Sequence, residues 1–145
     1  MNAELGTRNA EQQCKVVPSR DLKERTEAFA VAVVGLVQEL PRGRSADVLG
    51  HQLLRAGTSV AANYRSARRA RSRREFVARM GVVEEEADES SFWLDLLVET
   101  GLVVSERVAE LRHEAGQLVA IIVASIRTAR GGRGPVPRCA FRVPR

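Results

Sequence analysis

Residues 76–97 read FVARMGVVEEEADESSFWLDLL, and this stretch decides the fold class. Its apolar and small side chains recur at alternating steps of four and three, the spacing that keeps them on one stripe of an α-helix. Three further segments repeat this spacing, and none alternates with the period of two that is typical of a β-strand. The predicted inward positions are Leu22, Thr26, Phe29, Val33, Leu36 and Leu40 in the first helix, Leu49, Leu53, Ala56, Val60 and Asn63 in the second, Phe76, Met80, Val83, Ala87, Ser90, Leu94 and Leu97 in the third, and Val104, Val108, Leu111, Ala115, Leu118, Ile122, Ser125 and Ala129 in the fourth.

The ends of these segments carry residues that begin or stop helices. Pro41 stops the first helix because proline lacks an amide hydrogen. Ser45 is the predicted N-cap of the second helix, and Ser72 with Glu75 forms a predicted capping box at the start of the third. Gly101 ends the third helix, since glycine tolerates the left-handed conformation found at helix C-termini.

Short connections between four helices predict an all-α fold, an antiparallel up-down-up-down four-helix bundle. The 145 residues are enough for one domain of this kind. We expect a flexible N-terminal segment at 1–19, the bundle at 20–130, and a disordered Arg-rich tail at 131–145 that is punctuated by Gly and Pro.

The charge of the chain is strongly segregated. Of the formal net charge of +5, residues 127–145 contribute +6 and residues 1–20 contribute +1, which leaves −2 for the middle of the chain. The middle contains an arginine cluster and, shortly after it, an acidic run. The arginine cluster is Arg65, Arg68, Arg69, Arg71, Arg73 and Arg74, and the acidic run is Glu84, Glu85, Glu86, Asp88 and Glu89.

The arginine cluster spans the predicted end of helix 2, the connecting loop and the first turn of helix 3. Guanidinium groups this close repel one another, and an anionic partner relieves the repulsion. Arginine binds phosphate oxygens through two parallel hydrogen bonds, and a helix N-terminus adds free amides, so the backbone of RNA or DNA is the expected partner. Tyr64 lies beside the cluster and is a candidate for stacking on a base. The alternative is that the cluster pairs with the acidic run, within one chain or between subunits.

Enzymatic chemistry has little support in the sequence. No phosphate-binding glycine loop, nucleophile elbow or zinc-protease motif occurs, and His51 and His113 fall on different predicted helices. Cys14 and Cys139 lie in the two tails without a metal-ligand spacing. We therefore expect no enzyme activity, no cofactor and no metal. No membrane span or signal peptide is expected, and the expected location is the cytoplasm, with reduced thiols.

Two predicted helices are apolar around more of their circumference than a monomeric bundle requires. The apolar run is unbroken over 28–37 in the first helix and over 118–124 in the fourth. A second contact surface explains this pattern, so we expect a homo-oligomer. The alternative is that small side chains simply lie exposed there. Two polar residues, Asn63 and Ser90, fall on inward stripes, and we expect Asn63 to fix the second helix against a neighbouring one.

The second helix also carries a resemblance to a known family. Residues 52–63 read QLLRAGTSVAAN, residues 72–76 read SRREF, and residues 85–89 read EEADE before the FWL of residues 92–94. In this order the three motifs resemble the bacterial four-helix-bundle proteins encoded within intervening sequences of large-subunit ribosomal RNA genes. The resemblance covers about residues 20–128.

That family includes the accessory variability protein of diversity-generating retroelements, a barrel-like homopentamer that binds nucleic acid and a reverse transcriptase through basic surfaces. The resemblance therefore implies a non-catalytic homo-oligomer, with a pentamer as the expected form, and nucleic acid and possible reverse transcriptase partners. The basic positions carried over are Arg55, Arg65, Arg68, Arg69, Arg73 and Arg74; with Arg71 from the cluster they form the candidate nucleic-acid site. The chain departs from the family at residues 64–67, where YRSA replaces Ile-Ala-Glu-Gly and makes this stretch more basic.

Overall fold

A computed structural model of the protein describes residues 22–131, and these form four helices in the predicted order. The helices are α1 (Leu22–Gln38), α2 (Arg44–Ala67), α3 (Arg73–Glu99) and α4 (Ser105–Gly131). Each connection has five residues, which is short enough to make neighbouring helices antiparallel. The predicted all-α bundle is confirmed. Gly131, where the predicted tail begins, is still helical, and the rest of that tail and segment 1–19 lie outside the described residues.

Two glycines of α2 allow this helix to pack closely against α1. A Cβ atom at Gly57 would come within 2.8 Å of both methyl groups of Val33, so this position requires glycine. Seven residues earlier on α2, Gly50 lies against Val37 of α1 and against Leu40 of the connection that follows it. Helices α1 and α2 are therefore antiparallel, and the first turn of α1 lies beside the last turn of α2.

The core is a single cluster that runs through all four helices. All seven predicted inward positions of α3 are buried, from Phe76 to Leu97. Ser90 is fully buried among them, and its hydroxyl donates to the carbonyl oxygen of Glu86 at 2.7 Å. This intrahelical bond satisfies the buried polar group that the sequence placed on the inward stripe.

The prediction for the end of α2 is wrong by one residue. Tyr64, not Asn63, is the buried residue after Val60. An α-helix has 3.6 residues per turn, so a step of three and a step of four are both compatible with the stripe, and here the helix takes the step of four. Asn63 is half-buried, and its side-chain amide donates to the carbonyl oxygen of Ser59 in the same helix at 2.9 Å rather than to a neighbouring helix.

The inward stripe of α4 differs at both of its ends. Val104 precedes the helix and is 67% exposed, so the buried stripe begins at Val108. Near the other end Ile126 is buried, and Ser125 instead donates to the carbonyl oxygen of Ile121 in the preceding turn at 2.8 Å. At these two places the larger apolar residue of two neighbours in sequence is the buried one: Tyr64 rather than Asn63 in α2, and Ile126 rather than Ser125 in α4.

One helix boundary differs from the prediction and another confirms it. Helix α2 begins at Arg44, one residue before the predicted N-cap Ser45, and follows Gly43, whose φ of +150° few other residues adopt. At the end of α3, Gly101 has the predicted left-handed conformation, with φ of +73°. The amide that follows Gly101 donates back to the Leu97 carbonyl oxygen at 3.0 Å, which closes the helix in a Schellman motif.

Candidate functional site

The arginine cluster lies at one end of the bundle, as the sequence predicts. It occupies the last turn of α2, the connection 68–72 and the first turn of α3. Five of its six arginines are exposed, and Arg68 is half-buried. Within residues 22–131 no carboxylate lies within 4.0 Å of any of the six guanidinium groups. The cluster is therefore a concentrated positive charge without local neutralisation by ion pairs.

The N-terminus of α3 is ordered by a variant of the predicted capping box. The hydroxyl of Ser72 accepts from the amide of Glu75 at 3.1 Å, as predicted. The Glu75 carboxylate reaches the amide of Arg71 at 2.8 Å, one residue further back than a capping box requires, and also accepts from the Arg79 side chain at 3.0 Å. The hydrogen bond from the Arg71 amide is the main cause that lowers the pKa of Glu75. The loop that carries the cluster is thus tied to the first turn of α3.

The first turn of α3 adds hydrogen-bond donors to the cluster. The backbone amides of Arg73 and Arg74 occupy the first two helical positions, where an α-helix provides no internal acceptor. They point in the same direction as the positive end of the helix dipole. Side-chain guanidinium groups and backbone amides therefore converge on one small surface, an arrangement that favours oxyanions.

A recess beside the cluster contains two residues that the sequence analysis did not identify. The α1–α2 recess has a volume of about 400 Å³ and is lined by Lys23, Glu27, Arg65, Arg68 and Arg69. The two α1 residues form a marginal ion pair at 4.0 Å across one helical turn. Only the antiparallel packing of α1 on α2 brings them to the cluster, so no pattern local to either helix indicates this neighbourhood.

The fourth helix adds positive charge at the same end of the bundle. Helices α3 and α4 have 27 residues each and run antiparallel, so the end of α4 lies beside the start of α3. Arg127 and Arg130 are exposed in the last turns of α4. The arginine end of the molecule is thus assembled from all four helices.

The aromatic residue next to the cluster does not have the predicted role. Tyr64 is only 7% exposed and belongs to the core. The sequence suggested that its ring stacks on a base, and this expectation is wrong for the structure described. The register of α2 turns the ring inward, because the step of four from Val60 places residue 64 on the buried stripe.

Arg55, the remaining candidate binding residue, lies apart from the cluster. It lies ten residues before Arg65, the first arginine of the cluster, or about 15 Å along α2. Its guanidinium group pairs across the α2–α3 seam with Glu89 and, at 3.7 Å, with Glu86. The acidic run therefore meets Arg55, and within residues 22–131 it makes no ion pair with the arginine cluster.

The pKa values of the two carboxylates that pair with Arg55 are shifted in opposite directions. Burial raises the pKa of Glu86, against the attraction of the nearby guanidinium group, and its Oε2 atom is buried without a hydrogen-bond partner. A hydrogen bond from the indole of Trp93, at 3.1 Å, is the main cause that lowers the pKa of Glu89. The ring of Phe92, 54% exposed, packs edge-on against that indole.

Across the described part of the chain, His, Cys, Asp and Glu side chains form no group suited to hold a metal ion.

The seam between α1 and α4 is bridged by two ion pairs. Near one end, the Arg25 guanidinium group donates to both carboxylate oxygens of Glu114, each at 2.8 Å, and to Gln117 at 2.8 Å. Near the other end, Arg107 pairs with Glu39. Both bridges join helices that are distant in sequence, and they hold the first and last helices of the bundle together.

A groove of about 830 Å³ runs along this seam between the two ion pairs. On the α1 side it is lined by the small residues Ala28, Ala32 and Gly35. Val31, on the same helix, is 71% exposed, and Ala120 and Ala124 of α4 are exposed as well. The apolar runs noted in the sequence thus extend beyond the core onto the surface.

None of the helices within 22–131 reaches the length and apolarity of a membrane span.

Comparison with known proteins gives matches to a family model and to solved structures. The family model described as 23S rRNA-intervening sequence protein matches residues 20–124. A crystal structure of a protein with unknown function from the S23 ribosomal protein family of Bacteroides thetaiotaomicron is 31% identical, with a TM-score of 0.70. That similarity covers 74% of this chain and 99% of the other. Among curated proteins none matches.

Proposed function

Because the chain belongs to the family of 23S rRNA-intervening sequence proteins, we propose that it is a non-catalytic, homo-oligomeric accessory protein that binds RNA or DNA. One observation carries the proposal: the six arginines of the cluster lie within ten residues and have no carboxylate partner within residues 22–131, whereas the arginines that bridge helices along the sides of the bundle each have one. Phosphate groups supply the missing negative charge. The family membership makes a nucleic acid the phosphate-bearing partner to test.

The contacts at this site would be made to the nucleic-acid backbone. Arginine side chains and helix N-terminal amides are donors only, and both match phosphate oxygens. The one aromatic residue next to the cluster is buried, so the cluster offers no stacking platform for bases. We therefore propose a binding mode with weak base preference and a strong dependence on salt.

The exposed apolar surface supports the homo-oligomer. Val31 and the small residues along the α1–α4 groove present apolar area that a second copy would remove from water. The pentamer and the reverse transcriptase partner are implied by the family resemblance and stay predictions. A ring of subunits would repeat the arginine end several times and increase the avidity for a long polyanion.

The test is a salt series of binding to labelled structured RNA and duplex DNA, with the mass of the protein read by light scattering from the same sample. Six phosphate contacts predict a slope of about −4 to −5 for log K against log salt. Changing Arg68, Arg69, Arg73 and Arg74 to glutamate should lower the affinity by about 100-fold or more, because each lost contact also loses its counterion release.

The matched control uses two arginines that flank the start of another helix. Arg42 and Arg44 lie at the N-terminus of α2, at the opposite end of the bundle, and are exposed. Reversing them should change affinity far less than reversing Arg73 and Arg74, although the net charge changes equally. Equal losses for the two pairs would show that only total charge matters and would overturn the assignment of the site.

A second candidate function is a protein scaffold in which the arginine cluster of one subunit pairs with the acidic run of another. Glu84, Glu85 and Asp88 have no ion-pair partner within residues 22–131, so they are available for such pairing. In this case the fourfold reversal would dissociate the oligomer at low salt. Reversing the three acidic residues as well would restore it. An oligomer that keeps its mass while losing nucleic acid excludes the scaffold.

A further inference from the structure

The α1–α2 recess contains a carboxylate, Glu27, that accepts no hydrogen bond within residues 22–131. In this it differs from the other carboxylate beside the cluster, Glu75, whose oxygens already accept from Arg71 and Arg79. Lys23, Arg65, Arg68 and Arg69 line the recess together with Glu27. A surface that bound phosphate alone would gain nothing from a negative charge at this place. Resting on the proposed function, we infer that this recess binds a ribose-phosphate unit of RNA, with Glu27 accepting a hydrogen bond from the 2′-hydroxyl group.

The Glu27 carboxylate is available to a ligand. Its side chain is 54% exposed, and its ion pair with Lys23 is 4.0 Å long, beyond hydrogen-bond distance. No hydrogen bond to Glu27 is formed within residues 22–131. The carboxylate oxygens therefore keep their full capacity to accept from a donor that a ligand brings.

The cations of the recess define where the phosphate of that ligand would lie. Arg65, Arg68 and Arg69 come from the last turn of α2 and the loop after it, and Lys23 comes from the first turn of α1. A phosphate held by these groups is next to Glu27, which would repel it unless the same ligand also donates a hydrogen bond. The ligand must combine an anionic group with a neighbouring donor.

RNA meets this requirement directly, and DNA does not. In RNA each 2′-hydroxyl group is carried by the sugar that bears the phosphate, and it can donate as well as accept. In DNA that position has no donor. Amino groups of bases are donors too, but they lie across the sugar from the phosphate. The recess therefore predicts a preference for RNA. The guanidinium groups and helix amides of the rest of the arginine end are donors only and cannot provide this preference.

The test compares three short single-stranded oligonucleotides of one sequence: RNA, 2′-O-methyl RNA and DNA. The methylated strand keeps the sugar shape and the phosphates of RNA but lacks the hydroxyl donor. At fixed salt, the unmodified protein should bind RNA about three- to tenfold more tightly than the other two, the range expected for the net contribution of one solvent-exposed hydrogen bond. In Glu27→Ala the three affinities should become equal, with DNA binding slightly strengthened because a negative charge is lost.

The control is Glu85→Ala, which changes the net charge equally at an exposed position on α3, away from the recess. It should leave the preference for RNA intact. Equal binding of all three strands by the unmodified protein, or a preference for RNA that survives Glu27→Ala, overturns this inference and leaves the proposed function standing. Absence of binding to every strand near physiological salt overturns both.

Discussion

Arginine has two different environments in this protein. Along the sides of the bundle it pairs with carboxylates of other helices, or of the turn after α1 in the case of Glu39: Arg25 with Glu114, Arg55 with Glu86 and Glu89, Arg107 with Glu39, and Arg112 with Asp95. At the end formed by α2 and α3, six arginines have no such partner within residues 22–131. The first set joins helices, and its removal should affect stability. The second set does not, and its removal should affect binding.

The largest stability effect should come from Arg25. Its side chain is 19% exposed and makes a two-pronged ion pair with Glu114, so it lies between the weak surface pairs and the strong buried ones. Arg25→Ala should lower the free energy of unfolding by about 1–2 kcal/mol, measured by urea denaturation at fixed protein concentration. A double-mutant cycle with Glu114→Gln isolates the pair. A neutral Arg25→Ala variant would mean that the paired arginines do not stabilise the bundle.

A smaller effect, with a size that depends on pH and a sign that differs between the two residues, should come from the two carboxylates that share Arg55. The pKa of Glu86 is raised by burial from its ordinary value of 4.5, so ionised Glu86 costs stability as pH rises through and above that value. The pKa of Glu89 is lowered, mainly by the Trp93 indole, so its contribution is present at neutral pH and is lost as pH falls below 4.5.

Glu86→Gln should therefore stabilise the protein at neutral pH, and Glu89→Gln should destabilise it. Both differences from the unmodified protein should shrink in acid. Urea denaturation between about pH 3 and about pH 7 measures the two curves. Curves with the same sign would show that Arg55, and not the separate surroundings of the two carboxylates, determines how they titrate.

The buried positions of the helices were predicted correctly wherever the spacing of apolar residues allowed only one choice. In α3 every inward position was predicted, because steps of four and three from Phe76 reach an apolar or small side chain each time. At Asn63–Tyr64 and Ser125–Ile126 the spacing allowed either member of the pair. The structure buries the larger apolar side chain in both cases. Burial energy, which a count of steps ignores, decides such positions.

The candidate site was only partly visible in the sequence. The arginine cluster is continuous along the chain, so its position at one helix junction was predicted. Lys23 and Glu27 come next to Arg65 only through the packing of α1 on α2. The pairing of Arg55 with Glu86, 31 residues further along the chain, likewise depends on the seam between two helices. Contacts made by tertiary packing leave no local pattern to read.

The smallest stability effect should come from the cluster itself, and it tests the comparison most sharply. Arg69→Ala removes a cation without a partner in the described chain, so the free energy of unfolding should change by no more than about 0.5 kcal/mol. The change should be a gain at low salt, where repulsion within the cluster is least screened, and should fade as salt rises. Arg55→Ala, on the helix that precedes Arg69, is the control and should destabilise the protein.

A loss for Arg69→Ala as large as that for Arg55→Ala would mean that Arg69 has a carboxylate partner outside residues 22–131 or in another subunit. Repeating the measurement on a chain without residues 1–21 then separates the two, because only a partner within that segment disappears with it.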